Sequence, residues 1–175
     1  MLPDTILGIS LGTGRLGLAV KDKEELIHWQ IKVFDETYSK KKAKRIWRTI
    51  EMTIERYGVM VIGMKIPPKY SHSDGVSHCL RFITEKVLEK GITIYFYDLE
   101  TIGLHFLKSK SIDKIKLAES ISGTYPQLKN ECLKLSKCYT KMKRACLKLS
   151  KCHYHMKIFE AVSAMELAYL ELLNQ

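Results

Sequence analysis

The 175-residue sequence contains no run of about 20 consecutive apolar residues, the length that a membrane-spanning helix requires. Its first residues, Met1 to Asp4, lack the basic segment and apolar core of a secretory signal. We therefore expect a soluble, cytoplasmic protein without a membrane partner. The hydrophobic content of 46% and the chain length predict one globular domain spanning residues 1–175.

A disulfide framework is also lacking, because five cysteines are an odd number and four of them lie in one lysine-rich segment. Those four are spaced C-x5-C, whereas a tetrahedral zinc site uses C-x2-4-C. We expect reduced cysteines and no bound metal or other cofactor.

Acidic residues are scarce where basic residues cluster. The net charge is +10, and residues 129–157 contain nine Lys or Arg but a single acid, Glu131. A second basic cluster runs from Lys40 to Arg45. Such clusters attract phosphate backbones, although they are also ordinary solvated helix faces. The candidate nucleic-acid contacts are Lys41, Lys42, Lys44, Arg45, Lys134, Lys137, Lys141, Arg144, Lys148 and Lys151.

Hydrophobic periodicity predicts strands at 6–11, 16–20, 26–34, 59–64 and 92–97, and helices at about 40–57, 76–90, 111–122 and 157–173. Ser39 is a plausible N-cap and Gly58 a helix stop. The order predicts an α/β fold: a mixed five-stranded sheet, with three antiparallel strands followed by parallel additions, flanked by helices and completed by a helical C-terminal extension.

A direct repeat distinguishes the segment before the last helix. Cys132-Leu-Lys-Leu-Ser-Lys-Cys138 recurs 14 residues later as Cys146-Leu-Lys-Leu-Ser-Lys-Cys152. Apolar residues then alternate in steps of three and four from Cys132 to Met156, which is typical of a heptad seam. The pattern predicts a long basic helix as an insertion over 129–157. Its seam would pack on the body of the protein or join two chains into a homodimer.

The opening stretch organises the rest of the chain. In Gly8-Ile9-Ser10-Leu11-Gly12-Thr13-Gly14, a glycine-rich turn joins two apolar strands and is expected to use backbone geometry that a Cβ disfavours. This stretch resembles the ribonuclease H-like superfamily, and within it the Holliday-junction-resolvase branch (RuvC and YqgF), whose first strand reads apolar-Gly-apolar-Asp-x-Gly-Thr/Ser. It also resembles the first phosphate loop of actin/Hsp70/sugar-kinase ATPases, but the chain has no second lobe.

The resolvase resemblance implies two Mg²⁺ ions held by four acids. Carried across residue by residue, the first-strand Asp corresponds to Ser10, and the acid that ends the fourth strand corresponds to Lys65. The acid pair that opens the last helix corresponds to Lys157 and Glu160. Three acids are thus replaced, so these are degenerate positions, and we expect neither tight Mg²⁺ or Mn²⁺ binding nor DNA cleavage. Glu160 is expected to pair with Lys65 or Lys157.

Three functions remain open from the sequence. The first is a catalytically degenerate RuvC-like protein that binds nucleic acid or a nucleic-acid-processing partner. The second is an active Mg²⁺-dependent endonuclease or Holliday junction resolvase that uses other acids, of which Asp98 and Glu100 are the nearest. The third is a structural or dimerisation module without nucleic acid.

Overall fold

The computed structural model describes residues 5–67, 73–145 and 152–174. Five strands are present: β1 (Thr5–Leu11), β2 (Arg15–Asp22), β3 (Glu25–Val33), β4 (Val61–Lys65) and β5 (Thr93–Tyr97). Six helices accompany them in the described ranges: α1 (Lys40–Tyr57), α2 (Asp74–Glu89), α3 (Leu99–Leu107), α4 (Lys114–Thr124), α5 (Lys129–Ala145) and α6 (Cys152–Leu173). None of the helices in these ranges has both the length and the apolar character needed to cross a bilayer.

The strands form one mixed sheet in the order β3-β2-β1-β4-β5. The pairs β1–β2 and β2–β3 are antiparallel, whereas β1–β4 and β4–β5 are parallel. This arrangement confirms the predicted α/β class and the predicted three-strand meander with parallel additions. Because β1 and β4 are parallel, their carboxyl ends meet at one edge, where Ser10 lies beside Lys65.

Helices cover both faces of the sheet. On one face, the apolar stripe of α1 and α2 packs on a buried cluster that includes Leu7, Ile9 and Ile62. On the other face α6 lies on the sheet, and α3, α4 and α5 pack around it. The middle of α6 is enclosed by the sheet and these helices, which explains why residues 158–165 of α6 are buried all round.

Helix α6 approaches the sheet closely because three strands present glycine beneath it. A Cβ added to Gly8 or Gly63 would lie 2.0 Å from the carbonyl oxygen of Ala161 or Ala164, respectively. A Cβ added to Gly17 would lie 2.2 Å from the carbonyl oxygen of Lys157. The hydrogen side chains therefore form a groove for the α6 backbone, and only glycine fits at these positions.

Most helix boundaries agree with the sequence. Ser39 caps α1 by accepting a hydrogen bond from the Lys42 amide, and Gly58 ends the helix with φ of 63°. The turn glycines, in contrast, do not take positive φ; among the described glycines only Gly58 and Gly91 do. Gly12 instead provides space, since a Cβ there would lie 3.2 Å from Cε of Lys157. The turn therefore does not use the left-handed backbone geometry that its glycines permit.

Two further predictions in the C-terminal half are corrected. Helix α4 is capped by Asp113, whose carboxylate accepts the amides of Ile115 and Lys116, so it begins later than a Ser111 cap would place it. Helix α3, capped by Asp98, is absent from the sequence prediction.

The prediction of one long helix across residues 132–156 is wrong. Glu131 of α5 contacts His155 of α6 at 3.1 Å, although the two residues would stand about 36 Å apart on a continuous helix. Leu135 and Met142, on the seam of α5, are buried within the chain, as is Met156 of α6. These seam residues are thus covered by the protein itself, because α5 packs against α4 and α6 of the same chain. Cys146 and Leu149 of the repeat lie outside the described residues.

The glycine groove predicts that Gly8→Ala lowers the free energy of unfolding by about 3 kcal/mol, since the added methyl overlaps the α6 backbone. Urea unfolding followed by circular dichroism measures the change. The control is Gly123→Ala on α4, where an added Cβ meets nothing within 4 Å, so stability stays equal or rises. Equal stability of the wild type and the Gly8 variant would contradict the close approach.

Candidate functional site

Four side chains from three elements converge at the carboxyl ends of β1 and β4. The Ser10 hydroxyl donates a hydrogen bond of 2.5 Å to Oε2 of Glu160. Nζ of Lys157 lies 2.8 Å from the same oxygen and 3.3 Å from Oγ of Ser10, and Nζ of Lys65 lies 3.4 Å from that oxygen. The sequence expectation that Glu160 pairs with Lys65 or Lys157 understates the arrangement, since it contacts both. We call Ser10, Lys65, Lys157 and Glu160 the charge cluster.

The charge cluster is buried. Side-chain exposure is 5% for Lys65, 7% for Glu160 and 12% for Lys157, and Ser10 is fully covered. Burial alone would raise the pKa of Glu160, but the ammonium groups of Lys157 and Lys65 and the hydroxyl of Ser10 outweigh it and lower the pKa to about 2. For Lys65, burial outweighs the attraction of Glu160 and lowers the pKa, with a further contribution from Lys157. Glu160 is therefore the anion that balances this site.

The charge cluster does not fit a divalent metal ion. Hard cations such as Mg²⁺ need several anionic or carbonyl oxygens, and the cluster offers one carboxylate whose charge is already balanced. Two ammonium groups beside it would repel an arriving cation. No group of three or more His, Cys, Asp or Glu side chains with metal-site geometry occurs among residues 5–67, 73–145 and 152–174. The four side chains instead satisfy one another with hydrogen bonds.

Lys65, Lys157 and Glu160 of the charge cluster line a cleft of about 520 Å³. The glycine turn from Gly12 to Gly14 forms one wall, and Pro67, Val76 and Leu99 contribute to others. Arg15 and Lys114 add positive charge to this cleft, and Asp35 adds one negative charge. The result is a cationic depression at the sheet edge, next to the amino-terminal end of α1.

The amino-terminal part of α1 presents a basic surface. Lys41, Lys44 and Arg45 are exposed, and Arg45 is ion-paired with the Glu36 carboxylate. Lys42 differs, because it is buried and its ammonium donates to the carbonyl oxygens of Thr13 at 2.7 Å and Glu36 at 2.6 Å. We correct its expected phosphate contact to a structural role, in which it ties the glycine turn to the segment before α1.

The second predicted basic surface is only partly described. Lys137 and Lys141 are exposed on α5, and Lys134 is exposed and ion-paired with Glu131 at 2.6 Å. The side chain of Arg144 and the whole of Lys148 and Lys151 lie outside the described residues. Three exposed lysines therefore follow this face of α5.

The acids of the nuclease alternative are engaged elsewhere. The Asp98 carboxylate caps α3 by accepting the Thr101 amide at 2.7 Å, and this backbone hydrogen bond lowers its pKa. Glu100 is exposed and pairs with Lys110 at 3.1 Å. Neither residue is part of the charge cluster.

Several features of the site had no specific sequence signal. The hydrogen bonds that Lys42 donates and the stacking of Tyr38 on His78 depend on how separate parts of the chain meet. A second ion pair, Lys21 with Glu166 at 2.8 Å, joins β2 to α6 six residues further along the helix than Glu160. Sequence spacing of 145 residues gives no indication of such a pair.

Comparisons with known proteins support the fold. No family model matches the chain, and no curated protein matches it. The solved structure of Thermus thermophilus RuvC is 18% identical with a TM-score of 0.58, over 69% of this chain and 79% of that chain. The same protein in complex with a Holliday junction substrate gives equal identity and TM-score over 70% and 79%. The yeast mitochondrial Holliday junction resolvase is 10% identical with a TM-score of 0.56, over 99% of this chain and 82% of that chain.

These structural matches define the class of fold. The chain has a ribonuclease H-like α/β fold, as the resemblance at residues 6–20 implied. Within that class its fold is RuvC-like, which the strand order and the two similar structures support together.

The charge cluster predicts that Glu160→Gln lowers the free energy of unfolding at pH 7 by about 3 kcal/mol, because two buried ammonium groups lose their counter-charge. The folded-state pKa of about 2 lies below the ordinary 4.5, so the carboxylate stabilises the fold above pH 4.5 and that contribution disappears as pH falls towards 2. The stability gap between wild type and variant therefore narrows over this window in urea unfolding series.

The matched control is Glu119→Gln, which removes an exposed carboxylate on α4 and is expected to leave the free energy of unfolding nearly unchanged across this pH range. Parallel pH profiles for wild type and the Glu160 variant would show that the charge cluster does not contribute as described.

Proposed function

We propose that this protein is a catalytically degenerate RuvC-like protein that binds nucleic acid without cleaving it. The observation that carries the proposal is the charge cluster: the positions that the family resemblance assigns to metal-binding acids hold a hydroxyl, two ammonium groups and one balanced carboxylate. Without a pair of metal ions, the fold lacks the means of stabilising the attacking and leaving oxygens of phosphodiester hydrolysis.

Binding does not require the metal site. The exposed lysines at the start of α1 adjoin the cationic cleft, and those of α5 add a second basic face. Each lysine that contacts a phosphate releases a condensed counterion, so affinity is expected to fall steeply with salt and to depend weakly on sequence. The Thermus RuvC structure with a Holliday junction substrate supports four-way junction DNA as the first probe.

We expect fluorescence anisotropy to show binding of four-way junction DNA at about 50 mM salt, with much weaker binding at about 200 mM. Binding persists in EDTA, and the DNA stays intact in Mg²⁺. Lys41→Ala/Lys44→Ala reduces the slope of log affinity against log salt by about 2, because two phosphate contacts are lost.

A double variant of equal charge change serves as the control for this measurement. Lys86→Ala/Lys90→Ala removes two lysines that lie about 15 and about 21 Å along the α2 axis from Val76, which lines the cationic cleft, so the salt slope should stay as in the wild type. Absence of affinity for junction and duplex DNA at low salt would overturn the proposal and favour a structural module.

Metal binding provides a separate test. Isothermal titration of the wild type with Mn²⁺ is expected to give no heat of binding. Ser10→Asp/Lys65→Glu/Lys157→Asp rebuilds the acid set implied by the resemblance, and we expect this variant to bind Mn²⁺ and to melt at higher temperature in its presence. Metal-dependent cleavage by the wild type that is abolished by Glu160→Ala would establish the nuclease alternative instead.

A further inference from the structure

A second cleft lies on the other side of the glycine turn from the charge cluster. We call it the α1–α2 cleft; its volume is about 430 Å³, within the range of about 300–1,000 Å³ that is typical of small-molecule sites. Its walls come from the turn, from the segment between β3 and α1, and from the amino-terminal ends of α1 and α2. The apolar lining consists of Phe34, Ile46, Val76 and Cys79.

Tyr38 forms the aromatic rim of the α1–α2 cleft. Its side chain is 40% exposed, and its ring stacks on that of His78 with 5.7 Å between centroids and an angle of 22° between planes. The backbone of Gly75 lies directly against it, since a Cβ on Gly75 would be 2.5 Å from Cβ of Tyr38. A large aromatic ring is thus held in a fixed place at the surface instead of in the core.

The polar groups of the α1–α2 cleft suit an uncharged ligand with N–H donors better than a phosphate. Asp35 lines the cleft, and its carboxylate has no hydrogen-bond or ion-pair partner within the described part of the chain. Among the described residues of the lining the one cation is Lys42, which already donates to the carbonyl oxygens of Thr13 and Glu36. A phosphate would therefore meet an unbalanced carboxylate, whereas an amino or imino group would find an acceptor.

The exposed positive charges lie beside the α1–α2 cleft. Lys41 and Lys44 are exposed on the first turns of α1, the same helix that contributes Lys42 and Ile46 to the lining. The arrangement therefore pairs an apolar and aromatic recess with an adjacent basic surface. This is the combination by which proteins bind single strands, with bases on aromatic rings and phosphates along lysines.

We propose that the α1–α2 cleft receives one unpaired nucleobase of a bound DNA strand, stacked on Tyr38 with its N–H groups facing Asp35. The phosphates on either side of that nucleotide contact Lys41 and Lys44. A base within a duplex is stacked between its neighbours and paired with the opposite strand, so only an unpaired base enters. The inference rests on the proposed function, because a strand must first be held by the basic surface.

The test uses the full chain with two DNA probes of equal length, a single strand and its duplex, each with 2-aminopurine at one central position. We expect the fluorescence of 2-aminopurine to fall when the single strand binds, since stacking on tyrosine quenches it. Tyr38→Ala weakens single-strand binding about tenfold, leaves duplex binding nearly unchanged and abolishes the quenching. Tyr38→Phe keeps the ring and retains wild-type behaviour.

A matched control exists at the other end of α1. Tyr57 forms a second tyrosine–histidine pair, with His28 at 5.3 Å, away from the α1–α2 cleft. Tyr57→Ala is expected to leave the single-strand affinity and the quenching unchanged. Thermal melts of each variant verify that it is folded. Asp35→Ala supplies a second probe of the cleft: it removes the acceptor oxygens, keeps the tyrosine in place and is expected to weaken single-strand binding relative to duplex binding.

The outcomes separate this inference from the proposed function. Binding of both probes without quenching, and with no effect of Tyr38→Ala or Asp35→Ala, would overturn the base site while the proposed function stands. If neither probe binds, the proposed function fails, and adenosine then tests the cleft without phosphate. Saturation-transfer NMR signals from adenosine that disappear in Tyr38→Ala would support the base site, and their absence in the wild type would overturn it too.

Discussion

The backbone of α6 lies directly on β1, β2 and β4, and the rest of the structure depends on that contact. Gly8, Gly17 and Gly63 leave the space that the helix occupies. A side chain at any of these positions would push α6 away from the sheet. The consequences reach two ion pairs of the helix, since Glu160 and Glu166 each contact a buried lysine of the sheet only at this separation. The close packing of α6 and the ion pairs of Glu160 and Glu166 therefore depend on the same three glycines.

The same contact explains the character of the charge cluster. Burial makes an isolated carboxylate or ammonium costly, so groups brought together at the ends of β1 and β4 must balance one another. A pair of metal ions could balance several acids at such a place. In this chain two lysines and a serine balance a single glutamate, and the low pKa of Glu160 is the measure of how completely they do so. The sheet edge is stabilised internally, which favours a binding role over a hydrolytic one.

Much of the fold could be predicted from local patterns. Alternation, uninterrupted apolar runs and the stop at Gly58 indicated all five strands and the helices α1 and α2. The C-terminal half was less predictable. The heptad seam from Cys132 to Met156 is consistent with one long helix, but the pattern carries no information on whether the covering surface belongs to the same chain. Leu135 and Met142 are in fact covered by neighbouring helices of this chain.

The sequence by itself determined the order of the strands along the chain, the glycine positions and the chemical identity of Ser10, Lys65, Lys157 and Glu160. A resemblance over a few residues was enough to align these four, because the ends of adjacent strands and the start of the covering helix are fixed by topology. Only the tertiary structure decided that Ser10, Lys65 and Lys157 all contact one carboxylate oxygen of Glu160. It also decided that Lys42 ties the glycine turn to the segment before α1, and that Tyr38 stands exposed beside a cleft. These properties arise from distances between segments far apart in the chain, and no local pattern encodes such distances.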